Sequence, residues 1–379
     1  RPETWPRRLG SDLRAHSMSL SPQSQLILRN EEQFEQGNWL VINPDDAALF
    51  GALSEVKLTV LHQYYDVFKQ CARRTEAARF DSRDLISNNA NFALTTASDN
   101  HTHIFAPAVG DVAAITDVLI FMPKAKAHLA MLMAMAAALV GEGNRVHVIG
   151  ENRGGIKSAG KTIQSYGDVD KIDSARHCSW LTCHLNQAPA PFTLNDYMSR
   201  DTYSRNGIEW TVCSLPGVFS HRELDAGTAM LLDKLPSSLS GKVLDFACGA
   251  GVIASYLLSA GSKASVELLD VSALALWCSA HTLHENHQQG IIIATDTLQG
   301  VSAKYQTVVT NPPFHTGVKT DYRISREFIQ ATRQHLQPKG KLYLVANRFL
   351  PYAELLAEQF SSPSVLTQDN RFSVYFAQS

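Results

Sequence analysis

Two short segments of this chain carry residue types and spacings suited to chemistry. Val243-Leu-Asp-Phe-Ala-Cys-Gly-Ala-Gly251 reads as an apolar strand that ends in a glycine turn and opens a helix. Glycine lets backbone approach a ligand closely, and a helix N-terminus offers free N–H groups. Gly249-Ala-Gly251-Val-Ile-Ala254 also satisfies the dinucleotide pattern G-x-G-x-x-A, a weak signal by itself. Asp245 shifts the balance, because a carboxylate there would repel a pyrophosphate but suits the cationic amino group of a methionine moiety. Asp270, about twenty residues on, closes the next strand, where a carboxylate can bind ribose hydroxyls. That feature is shared by nicotinamide dehydrogenases and methyltransferases.

Thr310-Asn-Pro-Pro-Phe314 separates the two. It follows a predicted strand, so it falls at the carboxyl edge where open α/β sheets bind ligands. A planar amine such as guanine N2 is a poor nucleophile, since its lone pair is delocalised into the ring. Asn311 Oδ1 and the Pro312 carbonyl can accept both of its N–H bonds and draw the nitrogen toward tetrahedral geometry. Pro312 and Pro313 remove N–H donors and stiffen the loop, and Phe314 offers a face to a flipped base. The bland alternative, an Asx turn, is common for Asn-Pro.

Predicted elements place these segments. Strands fall at Lys242–Phe246, Ser265–Val271, Ile291–Ala294, Gln306–Thr310, Lys341–Ala346 and Arg371–Ala377. Helices fall at 249–260, 272–286 with Ser272 as N-cap, 322–336 and 350–360. The first half echoes this order. Trp39–Asn43 stands for the first strand and Asp117–Phe121 with Met122-Pro123 for the strand before Asn311. The segment 143–149 with Glu151-Asn-Arg153 stands for Gly340–Val345 with Ala346-Asn-Arg348, and Ser174–Leu185 for the closing strand. An internal duplication follows, with Pro44-Asp45-Asp46 in place of the glycine turn. The Pro/Ala-rich Gln187–Pro191 marks a boundary. Residues 1–17 are read as a leader or tag, 18–187 as the first domain, 188–205 as a linker and 206–379 as the catalytic domain.

The net charge of −2 excludes a generally basic nucleic-acid binder, so any RNA footprint must be local. Arg153, Lys157, Lys161, Lys171 and Arg176 form such a local excess, about even with an ordinary solvated surface. The six cysteines form no CxxC pair, which argues against a zinc knuckle or disulfide framework and fits a cytoplasmic setting. No apolar run is long enough to span a membrane; Ala127–Val140 reads as a buried helix. His281, His284 and His287 drift around a helix with no completing ligand and read as a solvated face; His101 and His103 read as a polar loop. No metal is expected. Cys248 sits in the glycine turn with no activating His/Asp pair and reads as small filler beside the cofactor.

Asp-Phe-Ala-Cys-Gly-Ala-Gly followed by Asn-Pro-Pro-Phe resembles the class I methyltransferases that act on exocyclic or amide nitrogens. Ser214–Ser220, Leu224-Asp-Ala-Gly227, Asn311–His315, Ala346-Asn347, Leu350-Pro-Tyr352, Glu151-Asn-Arg153 and Asp173-Ser-Ala-Arg176 narrow the resemblance to the ribosomal RNA small subunit methyltransferase C family. The resemblance implies an α/β fold of two tandem class I (Rossmann-like) domains with mostly parallel seven-stranded sheets, arising by duplication, the first lacking a cofactor site. It implies methyl transfer from S-adenosylmethionine, leaving S-adenosylhomocysteine, to guanine N2 of 16S ribosomal RNA in the assembled 30S subunit, by a monomer. Asp245, Gly249 and Gly251 would hold the methionine end, Asp270 the ribose and Asp296 the adenine amino group; Phe219 and Asp225 would line the pocket. Asn311, Pro312 and Phe314 would hold the guanine, with Pro313, His315, Lys157 and Lys161 toward the RNA. Ala247 departs from the glycine usual in the family. Another planar amine acceptor (23S guanine N2, adenine N6, a glutamine amide), a nicotinamide dehydrogenase and a non-enzymatic RNA-binding assembly factor are the alternatives.

Overall fold

The computed structural model describes residues 20–87, 93–110, 112–314 and 322–379. The expected leader 1–17 and His315 lie outside the described residues. The chain divides into two compact units. One holds the chain up to Arg74 with Ala93–Tyr197; the other holds Thr75–Phe92 with Met198–Ser379.

Strands are numbered in chain order. The first unit's sheet uses β1 (Trp39–Ile42), β2 (Leu58–His62), β4 (Leu94–Ala97), β5 (His101–Phe105), β6 (Asp117–Phe121), β7 (Arg145–Glu151), β8 (Gly167–Ala175) and β9 (Cys178–Leu185). β3 (Ala78–Asp81) belongs to the second unit. That unit also has the separate hairpin β10 (Ser199–Arg205) and β11 (Ile208–Ser214). Its main sheet continues with β12 (Lys242–Phe246), β13 (Ser265–Asp270), β14 (Ile291–Ala294), β15 (Tyr305–Thr310), β16 (Leu336–Asn347), β17 (Ser364–Gln368) and β18 (Phe372–Gln378).

The two sheets follow one plan. Their orders are β4-β5-β2-β1-β6-β7-β9-β8 and β3-β14-β13-β12-β15-β16-β18-β17. In each, five parallel strands are flanked by an antiparallel pair at one edge and a single antiparallel strand at the other. Even the backbone turn after the first strand repeats, with Asn43 at φ 57° and Ala247 at φ 59°. Each sheet thus carries eight strands where seven were expected. The extra edge strands, β3 and β4, are four residues long and half exposed, so no apolar alternation announces them.

β3 is drawn to the second unit's sheet by charge as well as by pairing. Glu267 of β13 is 3% exposed. Arg79 of β3 meets it with two hydrogen bonds of 3.1 Å, and the Tyr305 hydroxyl donates to it at 2.8 Å. A buried carboxylate needs such partners. The expected contiguous domain 18–187 therefore gives one strand to its neighbour, and the expected linker 188–205 contains β10. The expected single closing strand 174–185 is the hairpin β8–β9, turned at Arg176 (φ 53°) and His177 (φ 61°).

Several histidines sit elsewhere than the sequence suggested. His101 and His103 are buried on β5, not in a polar loop, and His281 is buried against Trp277 rather than solvated. Burial pushes His281 down to about 4. His62 Nε2 and His103 Nδ1 lie 2.8 Å apart near Cys71. Burial holds these imidazoles at about 3 and 4 and pushes the Cys71 thiol up to about 12, the behaviour of a neutral core pair. The apolar stretch forms the buried helix Lys126–Val140. Among the described residues no helix is long and apolar enough to cross a membrane.

Candidate active site

The carboxyl ends of β15, β12, β13 and β14 lie side by side in the second unit. They carry, in that order, Asn311, the turn Ala247–Gly251, Asp270 and Asp296, spread over about 14 Å at the usual strand spacing. The central turn is left-handed at Ala247, Gly249 (φ 54°) and Gly251 (φ 79°). An alanine there costs about 1 kcal/mol over glycine, which is why glycine suits the position. Ser279, from the helix Ala273–Glu285, pins the turn: its hydroxyl donates to Gly249 O at 2.8 Å and lies 3.3 Å from Cys248 Sγ. A Cβ on Gly251 would meet Ser279 at 3.2 Å, whereas a Cβ on Gly249 would project into open space. Burial pushes the Cys248 thiol well above its usual range, so it is unreactive filler.

A cleft over this turn is lined by Phe219, Asp225, Thr228, Ala247, Cys248, Gly249 and Asn311, among others. Phe219 is 62% exposed at its mouth. Three expected carboxylates do not line it. Asp245 is buried beneath the turn, where Oδ2 accepts from Ala254 N–H at 3.1 Å. Its Oδ1 is buried and has no partner among the described residues. Burial pushes this carboxyl up to about 8, against the Ala254 N–H and with the charge of Asp270 adding to it. Asp270 stands behind Gly249, accepting from Gly249 N–H and Ser272 N–H at 2.9 Å each. Burial raises its pKa and the backbone donors oppose the rise. Asp296 is half-buried just past the end of β14.

Asn311 is positioned by its amide nitrogen, which donates to Asp225 Oδ2 and Thr228 Oγ1 at 3.1 Å each. Asp225 is the N-cap of the helix Ala226–Lys234, accepting from Thr228 N–H at 2.9 Å. The amide oxygen of Asn311 and the Pro312 carbonyl are taken by no described residue, so both can accept from a ligand. Pro312 is buried, Pro313 exposed, and Phe314 half-buried against Phe246 and Phe328. Thr228 and Ser279 were not singled out from sequence, because both act across long sequence separations and only the fold brings them to the site.

The residues fit a sulfonium nucleoside cofactor: a glycine cradle with open space above it, carboxylates at successive strand ends, and an orphaned buried carboxylate oxygen beneath. The corresponding edge of the first unit differs. There Oε1 of the fully buried Gln63 accepts from Asn43 Nδ2 and pairs with His128 Nε2, at 2.8 Å each, and His62 stands where Asp270 does.

A parallel sheet of this order, with glycine built into the loop after its first strand and Asn-Pro-Pro into the loop after its fourth, is the plan of the class I S-adenosylmethionine-dependent methyltransferases, and the chain is one. Residues 209–376 match the methyltransferase small domain family and residues 85–201 its N-terminal domain. A ribosomal RNA small subunit methyltransferase C from Alteromonas mediterranea is 50% identical over 95% of this chain and 99% of its own length. One from Pseudoalteromonas atlantica is 41% identical over 94% and 98%. The solved T. thermophilus 16S rRNA N2 G1207 methyltransferase, in complex with AdoMet and guanosine, shares the fold at TM-score 0.75 and 20% identity, covering 95% of this chain and 92% of that one. The chain belongs to the ribosomal RNA small subunit methyltransferase C family.

Asp245 generates a proton-linkage prediction. A carboxyl raised to about 8 favours the ligand-free fold at low pH, and that contribution is lost as pH rises through 8. A cationic ligand brought near it lowers its pKa, so binding S-adenosylmethionine at pH 7 should release a proton, with affinity rising between pH 6 and 8. Calorimetry in buffers of different ionisation enthalpy should detect this release in the wild type and lose it in Asp245→Asn. An unaltered release in the variant would assign the proton to another group.

Proposed function

We propose that the chain methylates the exocyclic N2 of a guanine in 16S ribosomal RNA, at the position corresponding to the G1207 named for the T. thermophilus protein. It acts in the cytoplasm, as a monomer, on the assembled 30S subunit. The observation that carries the reading is the tethered amide of Asn311, whose oxygen has no partner among the described residues. Two acceptors suit an amine with two N–H bonds. By taking both, Asn311 Oδ1 and the Pro312 carbonyl localise the nitrogen lone pair. S-adenosylmethionine, when bound, supplies the electrophilic methyl group. The amine's surplus proton leaves to solvent, so no strong general base is needed. The Ala247–Gly251 turn with Phe219 and Cys248 holds the methionine end and Asp245 favours its cationic amino group from below, while Asp270 and Asp296, at the next two strand ends outside the cleft, would meet a ribose and an adenine that extend beyond it, Asp270 through lone pairs its two backbone donors leave over. Asp225 serves chiefly by fixing Asn311. Phe314 and Pro313 face the guanosine. Nucleoside analysis of 16S RNA from 30S subunits lacking the modification, after incubation with the protein and labelled S-adenosylmethionine, should yield N2-methylguanosine. Label in N6-methyladenosine, or in protein, would replace this reading with one of its alternatives.

The first unit's role in this reading is to hold RNA. Arg153, Lys157, Arg176 and His177 line one cleft of that unit at the carboxyl end of β7. Two motifs distant in sequence are bolted together there: Asn152 N–H donates to His177 O at 2.8 Å, and Ser179 Oγ to Asn152 Oδ1 at 2.6 Å. No described carboxylate forms a salt bridge with Arg153, Lys157 or Arg176. Lys171 joins Lys157 in an adjoining cleft, while Lys161 lies one turn along the helix Lys157–Gln164 and lines neither. Arg153→Glu with Lys157→Glu should weaken RNA affinity at least tenfold and flatten its salt dependence, with melting temperature unchanged. RNA binding equal to wild type would leave this unit a structural role only.

A further inference from the structure

We propose that Phe349, with Arg348 and Arg371, forms a stacking platform for an unpaired RNA base next to the target nucleotide, an inference that rests on RNA being the substrate. Phe349 is 79% exposed, the most exposed of the large apolar side chains among the described residues. It follows β16, whose neighbour β15 leads directly into Asn311.

The loop that displays the ring is held in place. Asn347 Oδ1 accepts from Phe349 N–H at 3.0 Å, Leu350 N–H donates to Asn347 O at 3.0 Å, and Arg348 N–H donates to Arg371 O at 2.9 Å. The Arg348 guanidinium donates to Asp369 O at 3.1 Å and lies 5.4 Å from the Phe349 ring centre. Opposite, Asp369 Oδ1 closes the β17–β18 turn by accepting from Arg371 N–H and Phe372 N–H at 2.7 Å each. Asn347 pairs in register with Phe372. The Phe372 ring in turn fits against Gly227, where a Cβ would meet it at 3.1 Å and Asp225 Oδ2 at 3.2 Å. Asp225 holds Asn311. Thr310 pairs in register with Leu344, so the loops that carry Asn311 and Phe349 leave neighbouring strands at the same carboxyl edge of the sheet.

The chemistry of the patch selects its occupant. A single exposed aromatic ring with Arg348 beside it, on a loop that also carries Asn347 and meets the Asp369–Arg371 turn, is no apolar patch for a protein partner. Neither arginine forms a salt bridge with a described carboxylate, so both can meet phosphate. A π-face with one guanidinium beside it and a second stacked on the neighbouring Phe372 ring is a combination that binds unstacked nucleotides. A base removed from its stack leaves its neighbour with one uncovered face, and Phe349 supplies a replacement surface there.

The test compares Phe349→Ala, Phe349→Leu and Phe349→Trp in the full chain. Equilibrium binding of 16S RNA and methyl transfer at subsaturating RNA are measured beside S-adenosylmethionine affinity. Phe349→Ala should lower RNA affinity and kcat/KM for RNA roughly tenfold to a hundredfold, with cofactor affinity and melting temperature unchanged. Phe349→Trp should retain function, and Phe349→Leu should not restore it. Wild-type behaviour of Phe349→Ala, restoration by leucine, or a parallel loss of cofactor affinity would overturn the platform. Absence of methyl transfer by the wild type would instead count against the proposed reaction, while RNA affinity would still report on Phe349.

Discussion

One oxygen of Asp225 accepts from the Thr228 N–H at the start of a helix and from the side-chain amide of Asn311 at the end of a central strand. The cap fixes where the carboxylate sits, and the carboxylate fixes which way the asparagine amide faces. Without that tether the amide could rotate and present N–H donors toward a substrate that needs acceptors. Space reinforces the arrangement. A Cβ on Gly227 would press on the Phe372 ring and on Asp225 Oδ2 at 3.1–3.2 Å, so glycine eases the close approach of the helix to β18. The cleft over the glycine turn and the Asn-Pro-Pro loop thus both meet one short segment, Leu224 to Thr228.

The second constraint is the turn after β12. Three left-handed residues in five carry the backbone past the ligand edge, and Ser279 ties them to the following helix. Beneath them Asp245 is kept from water with one oxygen unpaired. A buried carboxylate in that state costs stability in the free protein, and a cationic ligand offsets the cost. Binding energy and fold stability are linked at this residue. The first unit has the same backbone turn but closes its edge with Asn43, Gln63 and His128, side chains that satisfy one another.

Much of this was legible in the residues. Lys242–Phe246 and Ile291–Ala294 are apolar runs bounded by turn residues and form the strands expected of them. Ser272 caps its helix as its position suggested. The unread parts have physical reasons. β3, β4 and β17 are short, half-exposed edges, and β3 pairs with β14, which is remote in sequence. On β5 the buried positions of the alternation are His101, His103 and Phe105, so polar residue types hid a regular pattern. At the site, the glycines and Asn311 were visible as local motifs. That Asp245 lies under the turn rather than in the cleft, and that Asp225 holds Asn311, depend on packing between elements far apart in the chain.

The central claim is that the Asn311 oxygen works on the acceptor amine and not on the cofactor. Methyl transfer to 16S RNA by Asn311→Ala, measured beside its S-adenosylmethionine affinity, tests it most directly. Loss of a hydrogen bond that strengthens in the transition state should slow transfer on the order of a hundredfold or more while cofactor affinity stays close to wild type. Retained turnover, or a loss explained by weaker cofactor binding, would contradict the account.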